Sequence, residues 1–248
     1  MPLPPINPAP LPPRPCVVIP AFREEARIAQ VVADTLPFCR DVIVVDDGSP
    51  DGTASAARAA GATVLQHVRN QGKGMALFTG FQYAREHGFG LVITMDGDGQ
   101  HAPADIPAFL AAYERTHVPC IIGSRMDDTA AMPWLRRATN RYMSHSLSRI
   151  MRVHVPDTQC GFRLYHVSVL PTEPPAASSR HFAAESEMLL KIALAGHPVG
   201  SVPIQTIYSA DTTHSSKIRP LADTFRYFRM LRQFKKLRRE ILRKQETL

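Results

Sequence analysis

The chain has 248 residues, and 44% of them are hydrophobic, which is enough for one large α/β domain and excludes global disorder. Its net charge of +7 is concentrated at one end, because residues 221–248 carry nine Lys or Arg against three acids. The four cysteines are widely spaced without a Cys-x-x-Cys pair, which argues against a structural zinc site or a redox motif, so we expect free buried thiols.

The two ends of the chain differ in composition from its body. Eight of the first fifteen residues are proline, without the basic start and apolar run of a signal peptide. No stretch approaches the ~18 uninterrupted apolar residues of a membrane span. We therefore expect a cytoplasmic protein with a disordered proline-rich arm at 1–14, one domain at 15–220 and a basic amphipathic helix at 221–248.

Strand-like and helix-like segments alternate along the chain. Apolar runs and helical spacing predict, in order, strand 16–20, helix 24–36, strand 42–45, a turn at 49–53 that opens a helix to about residue 60, strand 63–66, helix 74–87, strand 91–95, helix 105–115, strand 120–122, helix 134–151, strand 161–167, helix 182–195, strand 199–208 and a helix from 221 to about 244. This alternation predicts an α/β fold with a Rossmann-like, mostly parallel sheet and helices on both faces. Ligands in such sheets bind outside the carboxyl ends of the strands.

An acidic cluster follows the predicted strand 91–95. Asp96 and Asp98 are separated by one glycine, and the amide of Gln100 comes two residues later. Oxygen ligands of this kind suit Mg²⁺ or Mn²⁺ bridging a diphosphate, where the ion acts as a Lewis acid. A simple Asp-Gly turn is the alternative. An EF-hand loop is excluded, because no Glu stands at its twelfth position.

A second acidic cluster ends the predicted strand 42–45. A carboxylate of Asp46 or Asp47 could accept hydrogen bonds from a nucleotide base or ribose, although a capped turn would explain the same residues. Farther along, Lys73 precedes a helix in a loop whose N–H groups could face a phosphate. That loop is not a Walker A sequence, and a plain flexible loop is the alternative. The fold predicts both acidic clusters on one edge of the sheet.

Four motifs in order carry a family resemblance: those at 16–24, 44–53, 70–74 and 95–101. Together they resemble glycosyltransferase family 2, which implies the GT-A fold. The chain is most similar to the dolichyl- or polyprenyl-phosphate mannosyl- and glucosyltransferase branch. Typical of that branch are Gly-Ser-Arg at 123–125, Asp-Thr-Gln-x-Gly-Phe-Arg at 157–163 and Glu-Met-Leu at 187–189. The resemblance covers roughly residues 15–230.

The resemblance implies a role for each matching position. Pro20, Phe22 and Glu24 would line the nucleotide base and ribose, and Asp46 or Asp47 would hold the base. Asp96 would contact the ribose or the metal. Lys217, with His214 and Arg219 nearby, would lie on a loop that closes over the donor phosphates. Residues implied in metal binding are Asp96, Asp98 and Gln100. Arg125 and Arg163 would lie near the diphosphate or the acceptor phosphate.

Two departures from the family pattern bear on the reaction. Phe22-Arg23 stands where the family usually has Tyr-Asn, and the helix that often carries an Asp base reads Ala-Glu-Ser-Glu at 184–187. A hydroxyl acceptor needs a general base, whereas a lipid phosphate is already an oxyanion at pH 7. We therefore expect inverting transfer to polyprenyl phosphate. Cations could hold that phosphate; the candidates are Arg125, Arg136, Arg137, Arg141 and Arg163.

Other interpretations stay open. Glu187, or Glu185, would act as base if the acceptor were a hydroxyl of a glycolipid or oligosaccharide in cell-envelope biosynthesis. The basic tail suits the anionic inner surface of a membrane, although it could instead pack on the body with its charges in water. A nucleic-acid-binding protein is a distant alternative, disfavoured because the body is nearly neutral. Expected partners are a UDP- or GDP-sugar, a polyprenyl phosphate and a membrane surface, and no nucleic acid.

Overall fold

The computed structural model describes residues 12–126, 134–175, 183–205, 207, 231–236, 238–240 and 243. Its elements are β1 (Pro15–Ala21), α1 (Glu25–Thr35), β2 (Val42–Asp46), α2 (Thr53–Ala59), β3 (Thr63–Gln66), α3 (Lys73–Glu86), β4 (Leu91–Thr94), α4 (Ile106–Thr116), β5 (Cys120–Ser124), α5 (Trp134–Met151), β6 (Arg163–His166), α6 (Ala183–Leu194) and β7 (Val199–Pro203). Helical positions at 231–236 and 238–240 belong to the predicted C-terminal helix. Most of the proline-rich arm, and Lys217, lie outside the described residues.

The seven strands form one sheet in the order β3-β2-β1-β4-β6-β5-β7. Strands β2, β4 and β5 are buried along their whole length, as expected of parallel strands that are covered on both faces. Only β6 runs against its neighbours, pairing antiparallel with β4 and β5. The predicted α/β fold with a mostly parallel sheet is confirmed.

The helices pack on the sheet through the apolar faces that their spacing predicts. Helix α1 buries Ile28, Val31 and Val32 on one side. Helix α3 approaches β1 closely at Gly80, where a Cβ atom would lie 2.4 Å from a methyl carbon of Val18. This close packing holds the first residue of α3, Lys73, above the carboxyl edge of the sheet.

The reversal of β6 brings a further segment to that edge. The chain leaves β5 at Ser124, passes through α5 and re-enters the sheet at Arg163, so residues 157–162 lie beside the ends of the parallel strands. The side chain of Thr94 donates a hydrogen bond to the carbonyl of Gly161 at 2.8 Å and fixes this segment to β4. One edge of the sheet is therefore built from both halves of the chain.

All four cysteines are free and buried, as expected. Burial raises the pKa of the Cys120 and Cys160 thiols to about 12, so these thiols are neutral and inert at physiological pH. Among the described residues, no helix combines the length and apolar character that crossing a bilayer requires.

Candidate active site at the carboxyl edge of the sheet

The two acidic clusters lie on either side of the end of β1. Asp46 is paired with Ala21, and the N–H of Asp47 donates to the Ala21 carbonyl at 2.8 Å. On the other side, the N–H of Met95 donates to the Val18 carbonyl at 3.1 Å. Since neighbouring strands are about 4.8 Å apart, the ends of β2 and β4 are separated by about 10 Å. The prediction that both clusters share one edge is confirmed.

Asp46 and Asp47 have different surroundings although they are adjacent. Asp47 accepts hydrogen bonds from the N–H groups of Gln71 and Gly72 at 2.8 and 2.7 Å, and its Oδ1 lies 2.7 Å from His67 Nδ1. Asp46 accepts one hydrogen bond, from the N–H of Ser49 at 3.1 Å, and its buried Oδ2 has no partner among the described residues. Asp47 therefore anchors the loop before α3, whereas one carboxylate oxygen of Asp46 is not used by the described part of the protein.

The turn after β2 is built for close approach. Gly48 has a φ of +71°, and a Cβ atom there would lie 2.5 Å from the backbone of Arg69. The same turn holds the segment after β1, because Ser49 Oγ accepts from the N–H of Arg23 and Thr53 Oγ1 from that of Glu24, both at 2.9 Å. The half-buried residues expected at the base and ribose therefore lie beside Asp46: Pro20, Phe22 and Glu24.

Lys73 lies between two carboxylates at this edge. Its Nζ is 2.6 Å from Asp96 Oδ1 and 2.8 Å from Glu185 Oε2. Burial lowers the pKa of Lys73, but the two carboxylates outweigh burial and the pKa ends well above its ordinary value. Lys73 is therefore charged, and it links β4 to α6 through Asp96 and Glu185.

Asp98 is the second carboxylate of the turn after β4. Burial raises the pKa of Asp98, and repulsion by the nearby charge of Asp96 raises it further. Two hard oxygen ligands in mutual repulsion fit Mg²⁺ or Mn²⁺, which take their other ligands from water and substrate phosphates. In the described part of the chain, no group of three or more His, Cys, Asp or Glu is placed to hold a metal ion.

The turn with Gln100 is tied to the chain beyond β7. The N–H of Gln100 donates to Asp98 Oδ1 at 3.0 Å, and its carbonyl accepts from the N–H of Ile207 at 3.0 Å. Asp105 Oδ2 also accepts from the N–H of Gln205 at 2.8 Å. The segment that leads toward Lys217 therefore starts next to the Asp98 turn.

The two arginines expected near phosphates are both buried. Arg125 forms a two-pronged ion pair with Asp157, at 2.7 and 3.0 Å, and is 8% exposed. Arg163 is 1% exposed and donates to the carbonyls of Thr158, Cys160 and Glu185 at 2.7 to 2.9 Å. Through these carbonyls Arg163 joins the 158–160 segment to α6, and the phosphate contact that the resemblance implied stays a prediction.

The two glutamates of α6 also differ. Glu187 pairs with Lys191 one helical turn away, at 2.7 Å. Glu185, by contrast, is 8% exposed, holds Lys73 and has a buried Oε1 without a partner among the described residues. His101, given no role by the sequence, is 6% exposed and lies 3.6 Å from Asp96 Oδ2. The sequence feature that could have identified His101 as a site residue is its position at the end of the 95–101 motif.

A parallel sheet with acidic clusters at its carboxyl edge is typical of enzymes that bind a nucleotide together with a divalent cation. The chain belongs to glycosyl transferase family 2, whose family model matches residues 16–172. It is therefore a glycosyltransferase.

Two relatives show the similarity in sequence. A UDP-N-acetylglucosamine–dolichyl-phosphate N-acetylglucosaminyltransferase of Methanococcus voltae is 28% identical over 78% of this chain and 85% of its own length. A polyprenol monophosphomannose synthase of Mycolicibacterium smegmatis is 28% identical over 77% of this chain and 76% of its own length.

A solved structure shows the similarity in fold. Glucosyl-3-phosphoglycerate synthase from Mycobacterium tuberculosis, in complex with Mn²⁺, UDP and phosphoglyceric acid, superimposes with a TM-score of 0.66. The match covers 91% of this chain and 78% of that chain at 20% identity. The fold is GT-A, as the resemblance implied.

Proposed function

We propose that this protein is an inverting glycosyltransferase that moves a hexose from a UDP- or GDP-linked sugar to a polyprenyl phosphate. The observation that carries the proposal is the position of Asp46, with its unpartnered Oδ2, on the same edge as Asp96 and Asp98. The names of the two relatives, which contain dolichyl phosphate and polyprenol monophosphomannose, support the class of acceptor.

In this proposal the donor nucleotide lies over the ends of β1 and β2. Asp46 accepts a hydrogen bond from the base or ribose, and Pro20, Phe22 and Glu24 line the same pocket. Asp47 acts through the loop before α3, which it holds by two backbone N–H groups. Lys73 lies at the end of that loop, within reach of a phosphate that approaches Asp96.

In this proposal Asp96, Asp98 and Gln100 would hold a divalent cation. Mg²⁺ or Mn²⁺ there would neutralise the charge that develops on the leaving nucleoside diphosphate. The protein supplies the two carboxylates in fixed positions, because Asp98 is held by the N–H of Gln100 and Asp96 by Lys73. Most of the rate should come from this preorganisation.

The surroundings of the glutamates favour a phosphate acceptor. A phosphate oxyanion attacks without losing a proton, whereas a hydroxyl must pass its proton to a base. Glu187 is paired with Lys191, and Glu185 is paired with Lys73. With Arg125 and Arg163 buried, Arg141, which is exposed on α5, is a better candidate for the acceptor phosphate.

One observation favours a second candidate function, transfer to a hydroxyl of a glycolipid or oligosaccharide. Glu185 Oε1 is buried without a hydrogen-bond partner among the described residues, and such an oxygen could accept a proton from a hydroxyl. In either case we propose that the protein works in the cytoplasm at the inner face of the membrane, where both kinds of lipid acceptor are found.

The test is a screen of UDP- and GDP-sugars with purified protein, Mg²⁺ or Mn²⁺, and a short water-soluble prenyl phosphate. Formation of a glycosyl prenyl phosphate supports the proposal. The corresponding prenyl alcohol and an oligosaccharide serve as hydroxyl acceptors. Transfer to these hydroxyl acceptors alone would establish the second function. If no pairing of a sugar nucleotide with an acceptor gives turnover, both functions are contradicted.

Replacing Asp46 by asparagine is expected to weaken nucleotide binding by about tenfold to a hundredfold, since a charge-assisted hydrogen bond is worth about 1.5–3 kcal/mol. Titration calorimetry with UDP and GDP measures the change. Asp47→Asn is the matched comparison, and it should lower the melting temperature, because an amide has one acceptor oxygen and loses at least one of the two hydrogen bonds from Gln71 and Gly72. The reverse pattern would assign the nucleotide contact to Asp47.

A further inference from the structure

The outward side of α5 carries aromatic and basic side chains together. Trp134 is 78% exposed and Tyr142 is 53% exposed, although both are large and apolar. Arg141, His145 and Arg149 are exposed between and beyond them. At 100° per residue these five positions fall within an arc of about 100°. We call them the basic-aromatic face.

The opposite side of α5 is buried against the domain, with Leu147 and Met151 at 1% and 3% exposure. Hydrogen bonds also fix the helix to the candidate active site. Ser144 Oγ accepts from the N–H of Thr158 at 2.9 Å, next to the Asp157 that holds Arg125. The basic-aromatic face is therefore rigidly connected to the carboxyl edge of the sheet.

A groove of about 810 Å³ runs between α5 and the C-terminal helix. Five of its nine lining residues are basic and none is acidic; the basic ones are Arg149, Arg232, Lys235, Arg238 and Arg239. Arg238 has a buried Nε without a hydrogen-bond partner among the described residues. Such a surface is complementary to phosphate groups.

The C-terminal helix uses its apolar side on the protein itself. Leu231 is 8% exposed and Phe234 is 3% exposed, and both belong to the core. Arg232, Lys235 and Arg239 remain exposed on its other side. The described part of this helix therefore presents mainly basic side chains to solvent. Any apolar contact with a binding partner on this side would come from Trp134 and Tyr142 on α5.

We propose that the basic-aromatic face and the adjoining groove form the docking surface for a bilayer that contains anionic lipids. Trp134 and Tyr142 would lie at the level of the head groups, where such rings are favoured, and the groove would hold lipid phosphates. The proposal rests on the proposed function in one respect: a polyprenyl acceptor has to be reached in a membrane. A nucleic acid would match the charge of this surface too, but the body of the chain outside residues 221–248 is nearly neutral, which disfavours it.

Trp134 is the single tryptophan of the chain, so selectively excited tryptophan fluorescence reports on this face alone. We expect a blue shift on adding vesicles of equimolar phosphatidylcholine and phosphatidylglycerol, and none with phosphatidylcholine alone. The triple variant Arg232→Ala, Lys235→Ala, Arg239→Ala should lower partitioning into the anionic vesicles about 100-fold, since each basic residue near the surface contributes about fivefold. The variant Arg40→Ala, Arg58→Ala, Arg115→Ala changes net charge equally, at exposed sites elsewhere, and should partition nearly as wild type.

Activity separates this proposal from the proposed function. The groove variant should keep wild-type turnover on a short water-soluble prenyl phosphate and lose turnover on a long polyprenyl phosphate in vesicles. An unshifted spectrum upon vesicle binding, an equal loss in the control variant, or salt-sensitive RNA retention in place of vesicle binding would overturn the docking surface. Failure on the short acceptor with wild-type protein would instead count against the proposed function.

Discussion

Asp98→Ala is expected to lower kcat/KM by about a thousandfold or more while leaving the fold intact. The variant removes one of two carboxylates that would hold the cation, and Lewis-acid stabilisation of a leaving diphosphate is worth several kcal/mol, at about 1.4 kcal/mol for each factor of ten. Because Asp96 and Asp98 repel each other without a cation, removing one carboxylate should not reduce the free energy of unfolding.

This expectation has two measurements besides activity. The melting temperature of the metal-free variant should equal or exceed that of the wild type, and Mn²⁺ affinity in the presence of UDP or GDP should fall in calorimetry. Asp34→Ala, which removes an exposed carboxylate on α1, is the matched control and should behave as wild type. Turnover of Asp98→Ala close to wild type would refute the metal assignment.

Arg163→Ala is expected to lower the free energy of unfolding by about 3–5 kcal/mol. The variant leaves three carbonyls, those of Thr158, Cys160 and Glu185, without their donor. Each buried group that loses its partner costs about 1–3 kcal/mol, and the buried side chain also leaves a cavity. Against a typical total stability of 5–15 kcal/mol, this is a severe loss.

Urea unfolding monitored by circular dichroism measures the effect. Arg163→Lys should recover only part of the stability, because an ammonium cannot reach carbonyls in three directions with the fixed geometry of a guanidinium. Arg115→Ala, at an exposed position of α4, should stay within about 0.5 kcal/mol of wild type. Wild-type stability combined with lost phosphate affinity in Arg163→Ala would restore the contact that the resemblance implied.

Most of the order of the elements could be predicted from the sequence because β1, β2, β4 and β5 contain apolar runs and helices such as α1 and α4 carry an apolar face. The helix predicted at 134–151 and the strand predicted at 63–66 have the same bounds in the structure. The direction of β6 could not be predicted in this way, because the residue pattern of a four-residue strand does not show whether its neighbours run parallel or antiparallel to it. That direction depends on where the chain returns to the sheet after α5.

The choice between Asp46 and Asp47 was beyond the sequence for a related reason. Consecutive residues at a strand end point to opposite sides, and which side holds the loop before α3 depends on packing between distant segments. Only the structure shows that Gln71 and Gly72 donate to Asp47. The same holds for Glu185 and Glu187, whose difference is the rotational phase of α6 about its axis.

The burial of Arg163 could not be predicted from the sequence either. An arginine is ordinarily exposed, since burying its charge is costly without several acceptors. Here the acceptors are backbone carbonyls at positions 158, 160 and 185, and the last comes from another element. Local sequence does not reveal such a set.

The ion pair between Arg125 and Asp157 joins residues 32 positions apart. It brings together the two ends of the chain segment that contains α5, which forms a closed path. Leu147 and Met151 of this segment are buried in the core, so its inner side cannot change without cost to the fold. The strands β1, β2 and β4, which carry the donor half of the proposed site, lie outside this closed path. Substitutions confined to the outward positions of α5 should therefore leave the proposed sugar-nucleotide site unchanged.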